Sequence, residues 1–359
     1  MTFERKNIAE MQGYQSGEQP DDKTTIKLNT NENPYPTSPK VDEVIKNLDS
    51  KNLRRYPPPT AEGFRSVAAD IHKVDVENII ATRGGDELLR LVITTFVDPG
   101  DLIAMSDPSY SLYPVLAQIQ NCPILKIPLM DDWSLAKDFI DQVNQAKSKL
   151  TFIVNPHAPT GRLLDKSTIR RLAEGLNSIL LVDEAYVDFV DPDIGHDCLD
   201  LISEFDNLIF LRTLSKGYSL AGLRFGYGIA NEKIISPMLK KTRDSYNLDY
   251  FSQEIAIAAI QDQEYARNTW QKVRNEKERM ASRLASLGFA SIVSQSNFLL
   301  VTPDSKLEYS AIDLYKFLRE NNILVRHFNV AGLKDKLRIT IGTPDENDLL
   351  LKTLTNELS

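Results

Sequence analysis

Seven short apolar segments alternate with helical segments between residues 61 and 250, and this alternation restricts the fold more than any other feature of the sequence. The apolar segments lie near 79–81, 102–105, 124–128, 150–154, 179–182, 208–211 and 225–230. Such runs are typical of strands that are buried on both faces. Because parallel strands are joined by crossover helices, the sequence predicts an α/β fold with a mostly parallel sheet and helices on both of its faces.

The pattern changes on either side of this region. Residues 1–30 have few periodic apolar positions and are predicted to form an N-terminal arm, followed by a large domain over 31–250. Residues 251–359 are predicted to form a smaller α+β domain, because they begin with long helices and end with short strands. The strands of this domain are predicted near 298–301, 324–325 and 337–341.

Charge and residue usage exclude several classes of function. The 50 acidic residues exceed the 42 basic ones, and a net charge of -8 argues against nucleic acid as a partner. Two distant cysteines and four histidines without ligand spacing predict neither a disulfide framework nor a metal site. No stretch approaches the roughly 20 apolar residues that span a bilayer, and the N-terminus is unlike a secretory signal. We therefore expect a cytoplasmic protein that has no membrane contact.

One lysine follows the sixth of these apolar segments directly. Lys216 lies just beyond 208–211, and an amine held among apolar neighbours is neutral and nucleophilic near neutral pH, as Schiff-base formation requires. Thr213, Ser215 and Arg224 add hydroxyl groups and a cation, which suit a phosphate dianion. For Lys216 considered alone, a solvated lysine in a surface turn is the better interpretation, so the assignment depends on the other residues.

An aspartate reached directly from a buried strand gives a stronger signal. Asp183 follows the segment 179–182, and a buried carboxylate is costly unless a cation or a donor pairs with it. A pyridinium nitrogen is such a partner, and Tyr186 is placed to reach a ring hydroxyl. A helix cap or a structural ion pair is the alternative.

Three other loops follow predicted strands and carry weaker signals. Gly84-Gly85-Asp86 opens a helix, where free backbone N–H groups bind anions, although such a turn is most often only a helix entry. Tyr110 either stacks on a planar ligand or is a core tyrosine. Residues 155–161 contain two prolines and a glycine that fix the shape of their loop, and turn chemistry alone also explains them. His157 in that loop is assigned no catalytic role.

Together these residues resemble the fold-type I pyridoxal-phosphate aminotransferases, and residues 213–222 look like the signature of their class II subgroup. Further motifs are similar to the histidinol-phosphate aminotransferases. These are Tyr14 with Gly17, residues 28–35, Arg55-Tyr56-Pro57, Tyr246-Asn247-Leu248 and residues 337–343. The motifs extend over nearly the whole chain in the same order, and this agreement makes the resemblance specific.

The resemblance implies pyridoxal 5′-phosphate as the cofactor and assigns residues to it. Lys216 would bond to it covalently and then move a proton on the substrate, Asp183 would pair with the pyridinium N–H, and Tyr186 would bond the ring hydroxyl. Tyr110 would stack on the ring. The cofactor phosphate would be held by Gly85, Asp86, Thr213, Ser215, Arg224 and, in trans, Tyr56. The last assignment implies a homodimer.

The resemblance also implies the residues that bind the substrates. Arg338 would pair with the carboxylate of glutamate or 2-oxoglutarate, which its planar guanidinium suits. Tyr14, Asn31, Tyr246 and Arg326 would receive a phosphorylated imidazole alcohol. Arg326, expected in a flexible loop, would be the main contact to the phosphate of that substrate.

Two positions depart from the family pattern. The family usually has two asparagines before Pro159, and the second bonds the ring hydroxyl of the cofactor, which Ala158 cannot do. The loss of one such hydrogen bond costs about 1 kcal/mol, unless Asn155 or a water replaces it. Ser245 stands where the family often has proline.

The resemblance favours transamination of L-histidinol phosphate with 2-oxoglutarate, a step of histidine biosynthesis. An aromatic amino-acid aminotransferase is the second hypothesis, and a phosphothreonine decarboxylase of related fold is a third. A cofactor-binding regulatory domain is disfavoured, because the chain is acidic and no DNA-binding helix pair precedes the core.

Overall fold

A seven-stranded sheet forms the centre of the protein. The computed structural model describes residues 3–20 and 24–358, so residues 1–2, 21–23 and 359 of the predicted arm and C-terminal domain lie outside it. The strands are β1 (Ile26–Lys27), β2 (Ile79–Thr82), β3 (Ile103–Asp107), β4 (Ile124–Pro128), β5 (Leu150–Val154), β6 (Ile179–Asp183), β7 (Leu208–Thr213), β8 (Gly226–Ala230), β9 (Phe289–Ser291), β10 (Phe298–Pro303), β11 (Ile323–Leu324), β12 (Arg326–His327) and β13 (Leu337–Thr340). The α-helices are α1 (Lys6–Ala9), α2 (Pro39–Asn47), α3 (Glu62–His72), α4 (Gly84–Phe96), α5 (Leu112–Ile119), α6 (Phe139–Gln145), α7 (Lys166–Gly175), α8 (Glu232–Pro237), α9 (Tyr250–Gln261), α10 (Gln263–Ser286), α11 (Ala311–Glu320) and α12 (Pro344–Leu358).

The strands of the large sheet lie in the order β2-β8-β7-β6-β5-β3-β4, and β8 alone is antiparallel to its neighbours. The pairs among β3, β4, β5, β6 and β7 are parallel. The carboxyl ends of six strands therefore lie at one edge, where β8 begins. Since ligands bind at this edge of a parallel sheet, the fold brings the loops after β2, β3, β5, β6 and β7 together there. The predicted α/β fold is confirmed.

Both faces of the sheet are buried, as the apolar segments predict. In β7, Leu208 and Phe210 pack into one apolar core with helices α3, α7 and α9, whereas Ile209 and Leu211 pack into a second core with α4 and α5. Each such side chain contributes about 1.5–3 kcal/mol relative to exposure. The strand that leads to Lys216 is thereby held from both sides.

A smaller antiparallel sheet of order β12-β13-β10-β9 lies in the C-terminal part of the chain and packs on α10, α11 and α12. A two-stranded parallel sheet joins this unit to the N-terminal segment, with Ile26 opposite Ile323. Leu28 is buried in the same core. Residues of the predicted arm thus belong structurally to the C-terminal unit, and the predicted boundaries at residues 30 and 250 stay predictions.

The structure corrects the prediction for the segment around residue 325. A strand is present there as β11, one residue earlier than the predicted 324–325, and a second strand, β12, begins after Val325 in a different sheet. Arg326 therefore begins a strand rather than lying in a flexible loop. Its backbone pairs with Arg338 of β13.

Candidate active site

Lys216 lies just after β7, at the edge where the carboxyl ends of the parallel strands meet. Its Nζ donates a hydrogen bond of 2.8 Å to the carbonyl oxygen of Thr30. Burial lowers the pKa of Lys216 to about 8, and the nearby Arg338 guanidinium acts in the same direction. None of the described carboxylates forms a salt bridge with this amine. The neutral fraction of Lys216 near neutral pH is therefore much larger than that of an ordinary lysine.

Asp183 is the last residue of β6, the strand next to β7, and lies opposite Leu211. The Tyr113 hydroxyl donates to its Oδ2 at 2.8 Å, and the Ala185 N–H donates to its Oδ1 at 3.0 Å. Burial raises the pKa of Asp183 to about 6 in spite of these donors. A cation against this carboxylate would stabilise its ionised form.

Tyr186 and Asn31 form the contact between the large sheet and the N-terminal segment. The Asn31 Nδ2 donates to the Tyr186 hydroxyl at 2.9 Å. Asn31 is held by Thr340 of β13, which donates to its Oδ1 and accepts from its backbone N–H, and by Asn297, which donates to its carbonyl oxygen. Asn31 adopts a φ of 56°, which Asn tolerates better than most residues. Its amide is therefore in a fixed orientation.

The start of α4 offers groups of the kind that bind an anion. The first N–H groups of a helix have no intrahelical partner, and no side chain caps this helix. Arg224 reaches the same point, because its guanidinium is 3.2 Å from the Asp86 carboxylate and a Cβ on Gly84 would lie 2.8 Å from its Nη2. The hydroxyls of Thr213 and Ser215 are 2.9 Å apart in the loop before Lys216. The structure thus brings together the predicted phosphate ligands of this chain, including Gly85.

Three tyrosine rings line the site in a row. The ring centroids of Tyr14 and Tyr110 are 6.0 Å apart, and those of Tyr110 and Tyr113 are 5.4 Å apart, with both pairs edge to face. Tyr110 follows β3, and Tyr113 carries the hydroxyl group bonded to Asp183. The predicted Tyr14 and Tyr110 therefore lie in the same wall as the aspartate.

Two arginines face the site from the small antiparallel sheet. Arg338 donates from Nη2 to the Asn29 carbonyl oxygen at 3.0 Å, whereas its Nε is buried and has no hydrogen-bond partner among the described residues. Burial lowers the pKa of Arg338, which stays charged at neutral pH, and Arg326 lowers it further. A buried cation with an unused donor suits a carboxylate ligand.

The side chain of Asn155 is engaged elsewhere, although its backbone N–H donates to the Asp183 carbonyl oxygen at 2.8 Å. Asn155 uses its amide on Leu164, donating to the carbonyl oxygen at 3.1 Å and accepting from the N–H at 2.8 Å, so it is not free to replace an asparagine at 158. The buried ring of His157 is hydrogen-bonded to Thr160 and to the Pro108 carbonyl oxygen. Burial lowers the pKa of His157 to about 4, so the ring stays neutral and structural.

Tyr56 and Tyr246 form a stacked pair within the chain. Their ring centroids are 4.4 Å apart, with an angle of 18° between the rings. Tyr56 is 80% exposed and Tyr246 is 41% exposed. The pair therefore presents an aromatic surface to solvent in the isolated chain.

Sequence reasoning missed several residues that complete the site. The position of Tyr113 at i+3 from Tyr110 in a helical pattern could have indicated that the two share a face. Thr30 acts through its backbone, which leaves no residue-type signal. The carbonyl oxygen of Gly217 accepts from Trp270 at 2.7 Å and from Asn33 at 3.2 Å, contacts between distant segments that no local pattern predicts.

The site is thus a buried amine and a buried carboxylate on adjacent strands, with an anion site and two arginines around them. A planar cationic heterocycle that carries an aldehyde and a phosphate matches this set of groups. No metal-binding cluster of three or more His, Cys, Asp or Glu side chains is present among residues 3–20 and 24–358. In the same part of the chain, no helix combines the length and apolarity that crossing a bilayer requires.

Comparisons with known proteins show which family this chain resembles. The family model described as "Aminotransferase class I and II" matches residues 23–354. The chain is 40% identical over 356 residues to histidinol-phosphate aminotransferase 1 of Trichormus variabilis, covering 99% of this chain and 98% of that protein. It is likewise 40% identical over 351 residues to the histidinol-phosphate aminotransferase of Geotalea daltonii, with 98% of each covered.

Solved structures share the fold. The histidinol-phosphate aminotransferase from Sinorhizobium meliloti, in complex with pyridoxal-5′-phosphate, matches with a TM-score of 0.85 at 24% identity, over 92% of this chain and 91% of that one. The L-threonine-O-3-phosphate decarboxylase from Porphyromonas gingivalis matches with a TM-score of 0.78 at 23% identity, over 93% and 99%. At these identities the matches show the fold alone.

Proposed function

Since the chain belongs to the class I and class II aminotransferase family, we propose that it transfers the amino group of L-histidinol phosphate to 2-oxoglutarate. The products are imidazole acetol phosphate and glutamate, and the reaction is a step of histidine biosynthesis. The observation that carries the proposal is a buried amine and a buried carboxyl group on neighbouring strands: Lys216 follows β7, and Asp183 ends β6. The relatives of about 40% identity supply the substrates.

Pyridoxal 5′-phosphate fits the residues of the site. Asp183 is a buried carboxylate without a cationic partner among the described side chains, and a ring nitrogen that carries a proton would supply one. The start of α4 with Thr213, Ser215 and Arg224 would hold the phosphate, Tyr110 the ring face and Tyr186 the ring hydroxyl. When bound, the cofactor withdraws electrons from the substrate carbon that carries the amino group.

The residues of the chain then have distinct tasks. Lys216 takes a proton from the substrate carbon that carries the amino group, and it returns a proton to the acceptor carbon in the second half of the transamination. An amine with a pKa of about 8 does this readily near neutral pH. Asp183 keeps the ring nitrogen protonated, and Tyr113 orients Asp183. Asn31 orients the Tyr186 hydroxyl from the opposite side.

The arginines determine which substrates bind. Arg338, with its unused buried Nε, would pair with a carboxylate of glutamate or 2-oxoglutarate. Arg326 would receive the phosphate of histidinol phosphate, and Tyr14, Asn31 and Tyr246 would complete that pocket.

A homodimer and a cytoplasmic location are further parts of the proposal. Exposed apolar side chains include Leu53, Tyr56 and Tyr246, and a second copy of the chain would cover them. In such a dimer Tyr56 would leave its stacking contact with Tyr246 and reach the cofactor phosphate of the partner. Analytical ultracentrifugation of the wild type and of Tyr56→Ala tests the assembly, and a monomeric wild type would contradict it.

The activity test is a comparison of three amino donors with 2-oxoglutarate: histidinol phosphate, phenylalanine and threonine phosphate. We expect the highest kcat/KM for histidinol phosphate. The tyrosine wall of Tyr14 and Tyr110 favours an aromatic amino-acid aminotransferase as the second candidate, and higher turnover of phenylalanine would establish it. Release of CO2 from threonine phosphate would instead indicate a decarboxylase.

A further inference from the structure

Two like charges lie directly opposite each other in the small antiparallel sheet. Arg326 of β12 and Arg338 of β13 are partners in the strand register. Like charges at directly opposed positions destabilise a sheet, and neither guanidinium forms a salt bridge with a described carboxylate. This arrangement is costly in the absence of an anion, so another group must hold the two cations in place.

The ring of Phe328 contacts both cations. The Cζ of Arg326 lies 5.6 Å from the ring centroid and that of Arg338 lies 5.5 Å from it. Phe328 lies two residues after Arg326, directly beyond the end of β12. The negative face of an aromatic ring attracts a guanidinium, by about 0.5–2 kcal/mol for each contact. Phe298 adds a second such contact to Arg338, at 5.2 Å.

Arg338 is constrained further than Arg326. Its Nη2 is bonded to Asn29, and its Nε is buried and unpaired. The Arg326 guanidinium approaches the N-terminal segment, because a Cβ on Gly17 would lie 4.0 Å from its Nη1. The Phe328 ring, which contacts both groups, therefore determines where one guanidinium lies relative to the other.

On the basis of the proposed function, we propose that Phe328 is a specificity-determining residue that sets the spacing of the Arg326 and Arg338 guanidinium groups. A substrate with two anionic groups binds both arginines only if its length matches this spacing. Phe328 thus acts through the two arginines as a positioning residue and selects the length of the ligand.

Binding of unreactive dicarboxylates tests this inference without turnover. Malonate, succinate, glutarate and adipate have two carboxylates and neither an amino nor a keto group. Their Kd values are measured by calorimetry on the cofactor-loaded wild type, Phe328→Leu and Phe328→Tyr. We expect the wild type to bind one length at least tenfold more tightly than the others, and Phe328→Tyr to keep this preference.

Phe328→Leu retains an apolar side chain but loses the aromatic face. We expect its Kd for the preferred length to rise about tenfold, which corresponds to about 1.4 kcal/mol, and its preference among lengths to fall below about threefold, because the cation–ring attraction is lost. Phe317→Leu is the matched control, since Phe317 packs on the core of the same unit. This control should bind all four dicarboxylates as the wild type does.

Two results would overturn the inference: a Phe328→Leu protein with the length preference of the wild type, or a wild type without any preference. Thermal unfolding and visible absorbance of each variant verify that it is folded and loaded. Failure of the proposed function is a separate result, because it would appear as absent turnover of histidinol phosphate in a wild type that still selects dicarboxylates by length.

Discussion

The hydroxyl group of Tyr113 donates a hydrogen bond of 2.8 Å to the carboxylate of Asp183, and both groups are buried. This donor lowers the pKa of an aspartate that burial raises. The ionised form of Asp183, which a ring cation requires, is thus supported by a residue outside the recognised motifs.

Tyr113→Phe should weaken cofactor binding. A hydrogen bond to a charged group contributes about 1.5–3 kcal/mol, so we expect the Kd for pyridoxal 5′-phosphate to rise roughly tenfold or more. The measurement is a fluorescence titration of cofactor-free protein. Tyr110→Phe is the control, because the Tyr110 hydroxyl interacts with Tyr14 rather than Asp183. Equal effects of the two variants would contradict the role of Tyr113.

Asp183→Asn should stabilise the cofactor-free protein at neutral pH. The pKa of Asp183 is raised from its ordinary value to about 6 in the folded state, so the folded state binds the proton more tightly than the unfolded state. The protonated Asp183 carboxyl group therefore makes its full contribution to stability below about pH 4, and this contribution is lost as the pH rises through 6. We expect a gain on the order of 3 kcal/mol at pH 7.5, measured by urea unfolding. If the gain in the free energy of unfolding does not shrink as the pH falls to 5, the raised pKa of Asp183 is not its cause.

Uptake of the cofactor by Lys216 should depend on pH. The neutral amine is the reactive form, and the pKa of Lys216 is lowered to about 8. The rate at which Lys216 of the cofactor-free protein bonds to the added cofactor should thus fall about tenfold for each pH unit below 8 and level off above pH 8. Stopped-flow absorbance measures this rate. Lys216→Ala is the control and should show neither the visible absorbance band nor transamination. A rate profile with its midpoint near pH 10 would exclude the lowered pKa of Lys216.

Arg326→Ala should separate the two substrates. If Arg326 binds the phosphate dianion, its removal should raise the KM for histidinol phosphate by about 10- to 100-fold, as expected for a lost charge-assisted contact. The KM for glutamate should also rise, but by a smaller factor, because a carboxylate carries less charge than a phosphate dianion. The reciprocal variant, Arg338→Ala, should raise the KM for glutamate more. Steady-state kinetics with both donors provides the comparison, and an equal rise for both donors in Arg326→Ala would remove its assigned role.

Trp270→Phe should disturb the loop that holds Lys216. The indole N–H of Trp270 donates to the Gly217 carbonyl oxygen at 2.7 Å, and its ring packs edge to face on Tyr218. Phenylalanine keeps an aromatic ring and removes the shorter of the two hydrogen bonds to this carbonyl oxygen, which leaves Asn33 as its donor and costs about 1 kcal/mol. We expect kcat to fall several-fold with little change in KM, and the pH profile of cofactor uptake to shift. An unaltered profile would assign Trp270 to packing alone.

Local patterns in the sequence were sufficient for the large sheet and for the residues at its edge. Two-sided apolar runs predicted β2 to β8, and Lys216, Asp183 and Tyr186 each follow such a run within a few residues. The antiparallel direction of β8 has no local signal, because it depends on how the chain returns to the sheet.

The residues that sequence reasoning missed act through contacts between distant segments. Thr30 reaches Lys216 over 186 positions, and Tyr113 reaches Asp183 over 70. The loop predicted at Arg326 was wrong because Arg326 pairs with Arg338 of β13, a tertiary contact that the residues next to it do not reveal. Tertiary contacts of this kind carry no periodicity that a single sequence displays.

The short parallel pairing of β1 with β11 ties the N-terminal segment to the C-terminal unit only a few residues before Thr30. Thr30 in turn accepts the hydrogen bond of the Lys216 amine. A rotation of the C-terminal unit against the large sheet would therefore displace the acceptor of this amine directly. The orientation of the C-terminal unit and the position of the Lys216 amine are in this way mechanically linked.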